Sequence, residues 1–189
     1  MLSYQHGYHA GNRADVLKHA VLHALLGHIT SAGKPVLYVE THSGRGRYDL
    51  TGEQARKGGE AETGILALHR GKPPRALKPW VSHVEDRGMN DYPGSPALAQ
   101  ALLPPSARMV FFEKHPAEHA ALAKAVGDDP RVQVKHADGY SGALKLSPRS
   151  GELRDQPRYR RSGLVDTPRP EALAPRHPDP LVAPLPRWP

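Results

Sequence analysis

The sequence predicts an α/β domain with a Rossmann-like parallel sheet, and three observations carry that reading. Strand-like and helix-like stretches alternate along the chain, and the connections between strands are too long for hairpins. The two clearest strands, VLYVE from Val36 to Glu40 and MVFFE from Met109 to Glu113, are apolar without polar alternation. A strand covered by helices on both faces needs no polar face. Long connections bring the chain back in the same direction, so the pairing is parallel and the crossovers right-handed.

Each element has its own signal. Asn12 caps a helix in which Val16, Leu17, Ala20, Val21, Ala24, Leu25 and Ile29 recur at helical spacing, and Gly33, Lys34 and Pro35 end it. The strand to Glu40 runs into a tight loop with Gly44 and Gly46. Residues 50–92 are polar and glycine-rich, with short helical patterns at Thr63 to Arg70 and Pro79 to Arg87; they read as an inserted helical subdomain lying on the sheet or beside it. Ser95 before Pro96 reads as a cap before an N1 proline, opening a helix to Leu103. The strand ending at Glu113 is followed by a helix from Pro116 to Val126, a strand from Val132 to Val134 that ends near Asp138 and Gly139, and a short helix holding Leu144 and Leu146. Residues 1–165 are therefore expected to form one domain with 50–92 inserted in it. Eight of the 22 residues from Pro168 to Pro189 are proline, so residues 166–189 are expected to be an unpacked, disordered tail.

Composition narrows the function classes. Lys plus Arg exceed Asp plus Glu by 26 to 19, for a net charge of +7 with twelve histidines in reserve. That balance favours an anionic partner such as nucleic acid, and is also met in basic proteins with no such partner. The chain has no cysteine, which excludes a disulfide framework and a thiolate metal site. No apolar run approaches a signal peptide or the ~20 residues of a membrane span, so a cytoplasmic location with no membrane partner is expected. His6 and His9 lie three apart, but no acid or cysteine completes a metal site with them, and none is expected.

In a parallel sheet of this kind ligands bind beyond the carboxyl ends of the strands. Glu40 closes the first strand and opens ETHSGRG, Glu113 closes the second, and Asp138 with Gly139 follows the third. The glycines let backbone approach a ligand closely, and strand-terminal carboxylates suit ribose hydroxyls and an adenine amino group. Singly, Glu113 and Asp138 also read as helix caps. Together, three such acids around a glycine loop match the S-adenosylmethionine pocket of class I methyltransferases. A dinucleotide fingerprint would need a third glycine where Asp49 stands, and its acid would not precede the glycines, which disfavours an NAD-type oxidoreductase.

Five segments, MLSYQHGYHAGNRADVLKH, LYVETHSGRGRYDL, YPGSP, FFEKHP and HADGY, run collinearly from Met1 and resemble the RlmJ family of 23S ribosomal RNA adenine-N6 methyltransferases. The resemblance extends to about Val165. It implies S-adenosylmethionine as cofactor, 23S ribosomal RNA as a substrate free of ribosomal protein, and a monomer. It further implies cofactor contacts from His19, His42, Ser95, Glu113, Asp138 and Gly139, with Tyr4, His6 and Lys18 beside the substrate adenine. By themselves His19 reads as a helix-surface histidine, Lys18 as a solvated lysine and Ser95 as a cap.

Methyl transfer to an aromatic amine demands placement of the nitrogen more than acid or base catalysis. In enzymes of that family a strand ending in Asp-Pro-Pro-aromatic, or Asn in place of Asp, orients the amino group and stacks on the base. Here SGLV at 162–165 begins such a strand, Asp166 follows, and TPRP replaces the rest; no Asp-Pro-Pro-aromatic occurs in the 189 residues. Asp166 is thus the candidate catalytic residue. Its strand is shorter than the ~5 to 6 residues typical of a sheet, so the sheet is expected to be incomplete at its C-terminal side. A shift of reading frame near Val165, or decay of a paralogue, accounts for the tail. The alternative function is a non-enzymatic remnant that binds S-adenosylmethionine or RNA.

Overall fold

The computed structural model describes residues 5–31, 33 and 35–146. Within them the first long element is α1 (Arg13–Ser31), preceded by a 3-10 turn at His6–Tyr8. Asn12 is its cap: the Asn12 Oδ1 accepts the Asp15 amide at 2.9 Å, and the Asp15 carboxylate reaches back to the Gly11 amide at 3.1 Å. This is the reciprocal arrangement of a capping box shifted by one residue. At the other end Gly33 takes a left-handed φ of +64° that stops the helix.

Strands β1 (Leu37–Glu40), β4 (Arg108–Glu113) and β5 (Val132–His136) form the sheet, in the order β1-β4-β5 with both pairings parallel. Central β4 earns its apolar run. Met109, Val110, Phe111 and Phe112 are all buried, and each such side chain contributes roughly 1.5–3 kcal/mol by leaving water. The alternation sorts them by face: Met109 and Phe111 join Leu26 of α1, Ala99 of α5 (Ser95–Leu102) and Leu122 of α6 (Pro116–Val126) in one core. Phe112 points instead to α7 (Gly139–Leu146), whose Gly142 leaves no room for a Cβ against its ring. Among the described residues β1 pairs with β4 alone, and Leu37 is half exposed, unlike the doubly covered strand expected from VLYVE.

Between β1 and α5 the chain forms β2 (Arg47–Tyr48), α2 (Glu53–Gly58), a 3-10 turn at Glu60–Thr63, α3 (Ile65–Arg70), α4 (Lys78–Glu85) and β3 (Tyr92–Pro93). Strands β2 and β3 pair antiparallel, so the excursion leaves and returns through a two-residue stem that was too short to show as a strand pattern. Ile65, Trp80, Val81 and Val84 give it a core of its own, against which Val16 and Ala20 of α1 pack. The excursion therefore rests on α1, not on the sheet.

Helix α1 departs from the sequence expectation in its facing. Leu17, Val21 and Leu25 are at least half exposed, whereas Asp15, His19 and Leu26 are buried. The helix is covered from two directions, by the excursion and by the sheet core, and a polar pair occupies part of its inner face. Gly27, in the same helix, has open space around the position of a Cβ. Gly27→Ala is expected to stabilise the protein by about 0.5–1 kcal/mol, readable as a raised urea midpoint; an unchanged or lowered midpoint would contradict this placement.

Candidate functional site

A cavity of about 650 Å³ opens beyond the carboxyl ends of β1, β4 and β5. His6, Lys18, His19, His42, Ser95, Glu113, Asp138 and Gly139 all border it, so eight of the ten sequence-predicted residues converge on one space. Tyr4 and Asp166 lie outside the described residues.

The cavity floor is the loop after β1. Gly44 and Gly46 hold φ of +61° and +79°, where a side chain is strained. The loop is tied to β4 twice: the Ser43 amide donates to the Phe112 carbonyl at 3.1 Å, and the Gly44 amide donates to Glu113 Oε2 at 2.8 Å. Glu113 Oε1 accepts the His115 amide at 2.7 Å. Each carboxylate oxygen retains a second lone pair, so Glu113 can anchor the loop and still accept hydroxyl donors from a ligand. Between the glycines, Arg45 grips buried Glu118 of α6 with two bonds, Nε to Oε2 at 2.9 Å and Nη2 to Oε1 at 2.6 Å. Arg45→Met leaves Glu118 charged without its partner and is expected to cost about 2–3 kcal/mol, with faster amide exchange from Ser43 to Gly46. Unaltered exchange would mean the loop is held without the clamp.

Ser95 does not cap α5. The N-cap is Gly94, and the Ser95 hydroxyl donates instead to Glu40 Oε1, while the Tyr38 hydroxyl donates to Glu40 Oε2 at 3.3 Å. Burial pushes the Glu40 carboxyl up to about 7, against those hydrogen bonds and the charge of Lys18.

On α1, His19 is 6% exposed and its Nδ1 meets the Tyr92 hydroxyl at 3.2 Å. Burial pushes the imidazole down to about 4, against the nearby Asp15 carboxylate, so it is neutral at pH 7. A Tyr92 hydroxyl that donates to Nδ1 leaves the ring's proton on Nε2, and one that accepts from Nδ1 leaves Nε2 as an acceptor. Asp15, fully buried, accepts from His6 Nε2 at 2.8 Å and pairs with the Lys18 ammonium at 2.9 Å. Burial raises its carboxyl, but the bonds from His6 and Lys18 outweigh that and hold it well below the usual range.

The two buried shifts of His19 and Glu40 oppose each other in pH. The unfolded chain protonates its histidine near 6.5, so below that value His19 favours unfolding progressively down to about 4. Folded Glu40 holds its proton up to about 7 where the unfolded value is 4.5, so stability falls as pH rises through that interval. Glu40→Gln removes only the second effect. Relative to wild type, the variant is expected to gain about 3 kcal/mol as pH rises from 4.5 to 7, measured by urea unfolding. Parallel profiles would show that Glu40 titrates as a solvated carboxyl.

Asp138 caps α7, accepting the Ser141 amide at 3.1 Å, and its carboxylate also meets Lys114 at 3.4 Å; those bonds hold it below its ordinary value. It stays exposed to the cavity mouth. His42 is exposed as well, with its Nδ1 2.9 Å from Thr41 Oγ1 and its ring edge-on to Tyr140 at 4.9 Å. The cap reading of Asp138 holds, and a capping carboxylate has lone pairs left over for a ligand.

Sequence reasoning missed Asp15, Tyr92 and Arg45. The spacing of Asn12 and Asp15 was a usable capping signal; nothing in sequence joins Tyr92 to His19 or Arg45 to Glu118, which lie 73 residues apart in both cases.

Comparison with known proteins follows the same lines. Residues 33–159 match the family described as Ribosomal RNA large subunit methyltransferase D, RlmJ. Ribosomal RNA large subunit methyltransferase J of Escherichia coli is 37% identical over 167 residues, 84% of this chain and 60% of that protein. The Haemophilus influenzae protein of the same name is 37% identical over 146 residues, 74% of this chain and 52% of that protein. The chain thus spans little more than half the length of these relatives. The crystal structure of protein LPL1258 from Legionella pneumophila, of the DUF519 family, superposes with a TM-score of 0.65 at 36% identity, covering 76% of this chain and 54% of that one. The fold is accordingly the Rossmann-like methyltransferase fold. Among the described residues no helix is long and apolar enough to cross a membrane.

Proposed function

The chain belongs to the RlmJ family of ribosomal RNA large subunit methyltransferases, and from that premise we propose that its cavity holds S-adenosylmethionine for methylation of the N6 amine of an adenine in 23S ribosomal RNA. The observation that carries this reading is the convergence of His19, His42, Ser95, Glu113, Asp138 and Gly139 on one cavity beyond three parallel strand ends. Its volume lies within the ~300–1,000 Å³ of small-molecule sites. The relatives named above are methyltransferases, and they lend nothing to a non-enzymatic remnant.

The donor set suits this ligand. Glu113 accepts ribose hydroxyls, Asp138 accepts the adenine amino group, and neutral His19 in its Nε2–H tautomer donates to a carboxylate. Gly139 allows the α7 terminus to sit against Thr41, so that the adenosine end is bounded by backbone. When bound, the cofactor supplies a sulfonium methyl group for in-line displacement. His6 and Lys18, both held by Asp15, present a hydrogen-bonding group and a positive charge on the α1 side of the cavity, where they fit an incoming nucleotide. Tyr4 beside the adenine and Asp166 as its orienting group complete the proposal.

The test is tritiated-methyl incorporation into unmodified, protein-free 23S ribosomal RNA, followed by digestion to nucleosides. A chain carrying Asp-Pro-Pro-Tyr after Val165 and the family's remaining strands is expected to label N6-methyladenosine. The 189-residue chain is expected to be slower by roughly a hundredfold or more, the scale of a misplaced reacting group. Label in another nucleoside would overturn the substrate.

A further inference from the structure

We propose that a second, smaller cavity beside the first is a subsite for the nucleobase next to the target adenine, and that two exposed carboxylates in its lining, Asp49 and Glu53, select guanine there. The inference rests on the RNA substrate proposed above. This cavity, of about 210 Å³, is lined by Gly7, Arg45, Tyr48, Asp49, Glu53 and Gln54, from the turn before α1, the loop after β1 and the start of α2. It adjoins the main cavity: buried Tyr48 borders both, and the ring of His6 stands edge-on to Tyr48 at 5.1 Å. A nucleotide met by His6 thus has the smaller cavity one residue further along the chain, at Gly7. The volume falls below the ~300–1,000 Å³ of sites for whole small molecules, which leaves room for a single planar group.

The lining is rich in acceptors. Asp49 Oδ1 takes the Thr51 hydroxyl at 2.6 Å and the Thr51 amide at 2.8 Å, which leaves Oδ2 for a ligand. Gln54 gives an amide hydrogen to Gln5 Oε1 at 3.0 Å, and its own Oε1 lies against Gly7, where a Cβ would collide with it. Two carboxylates repel a phosphate, so the group that enters must present donors. Among the four RNA bases only guanine carries two donors side by side, N1–H and the 2-amino group, to match the two oxygens of one carboxylate. On the same edge of adenine, cytosine and uracil each donor stands next to an acceptor that a carboxylate repels. Arg45 adds a planar group of fixed orientation, because its Nε and Nη2 are bound to Glu118, and unstacked RNA bases rest on guanidinium planes. Arg56 and Lys57, exposed on the last turn of α2, supply cations for the adjoining phosphates. One short helix therefore carries an acid that reads the base and charges that hold the backbone.

The test is fluorescence anisotropy of the 189-residue protein with labelled pentaribonucleotides in which a central adenosine is flanked, on one side or the other, by guanosine or by inosine, which lacks only the 2-amino group. Wild type is expected to prefer guanosine on one flank by roughly 10-fold, the worth of one charge-assisted hydrogen bond. Asp49→Asn combined with Glu53→Gln removes the preference and leaves S-adenosylmethionine affinity unchanged. Arg56→Gln combined with Lys57→Gln weakens all the oligonucleotides alike, flattens the plot of log K against log salt by about 1.4, and keeps the preference. Equal binding of guanosine and inosine by wild type on both flanks, or a preference that survives loss of the two carboxylates, overturns the inference while the RNA substrate stands. A wild type that binds none of the oligonucleotides overturns both.

Discussion

Gly139→Val is expected to collapse the cavity and to cost about 3 kcal/mol or more, at the upper end of what overpacking does. A Cβ at this position would overlap the Thr41 carbonyl oxygen and crowd the Thr41 Cα. The obstruction is backbone, at the point where β1 turns into the glycine loop, so no side chain can swing aside to relieve it. Either α7 lifts from β1 and β4, exposing Phe112, or the loop shifts and breaks the bond from the Gly44 amide to Glu113. Both routes damage the floor of the cavity. The expected readouts are a lowered urea midpoint and loss of S-adenosylmethionine binding in the fraction that remains folded. A valine variant with wild-type stability and affinity would mean that α7 does not seat on Thr41.

Asp15→Ala is expected to have the second largest effect. The carboxylate is fully buried and holds three groups at once: the Gly11 amide, His6 and Lys18. Removing it leaves a buried amide without an acceptor and releases the segment before α1, at an expected cost of about 3 kcal/mol. For a domain of this length that is a fall in Tm of about 6–12 °C. Its functional signature differs from that of Gly139→Val. His6 and Lys18 are the groups proposed to meet the nucleotide, so cofactor affinity is expected to survive in the folded fraction while methyl transfer by the completed enzyme is lost. Equal loss of both would place Asp15 in the cofactor site.

The sheet and the wall of the cavity built by its strand ends were legible in sequence because each rests on local signals: an apolar run, a strand-terminal acid, a glycine that permits a turn. VLYVE and MVFFE led directly to Glu40 and Glu113. What escaped was everything set by contacts between distant segments. The stripe Leu17, Val21, Leu25 has helical spacing, yet it faces outward, because periodicity gives a helix a face without saying which neighbour covers it. Ser95 has the sequence context of a cap, and only the three-dimensional approach of Glu40 diverts its hydroxyl. The stem formed by Arg47–Tyr48 and Tyr92–Pro93 has too few residues for a period-two pattern to register.

The central claim, that this cavity is an S-adenosylmethionine site, is tested most directly by calorimetric titration of the cofactor into wild type, Glu113→Ala and Asp138→Ala. Saturable one-site binding is expected in wild type, with each variant weaker by roughly 10- to 100-fold through loss of charged acceptors. Absence of binding by wild type, or unchanged affinity in both variants, would contradict it and leave the two carboxylates as supports of the loop and of α7 alone.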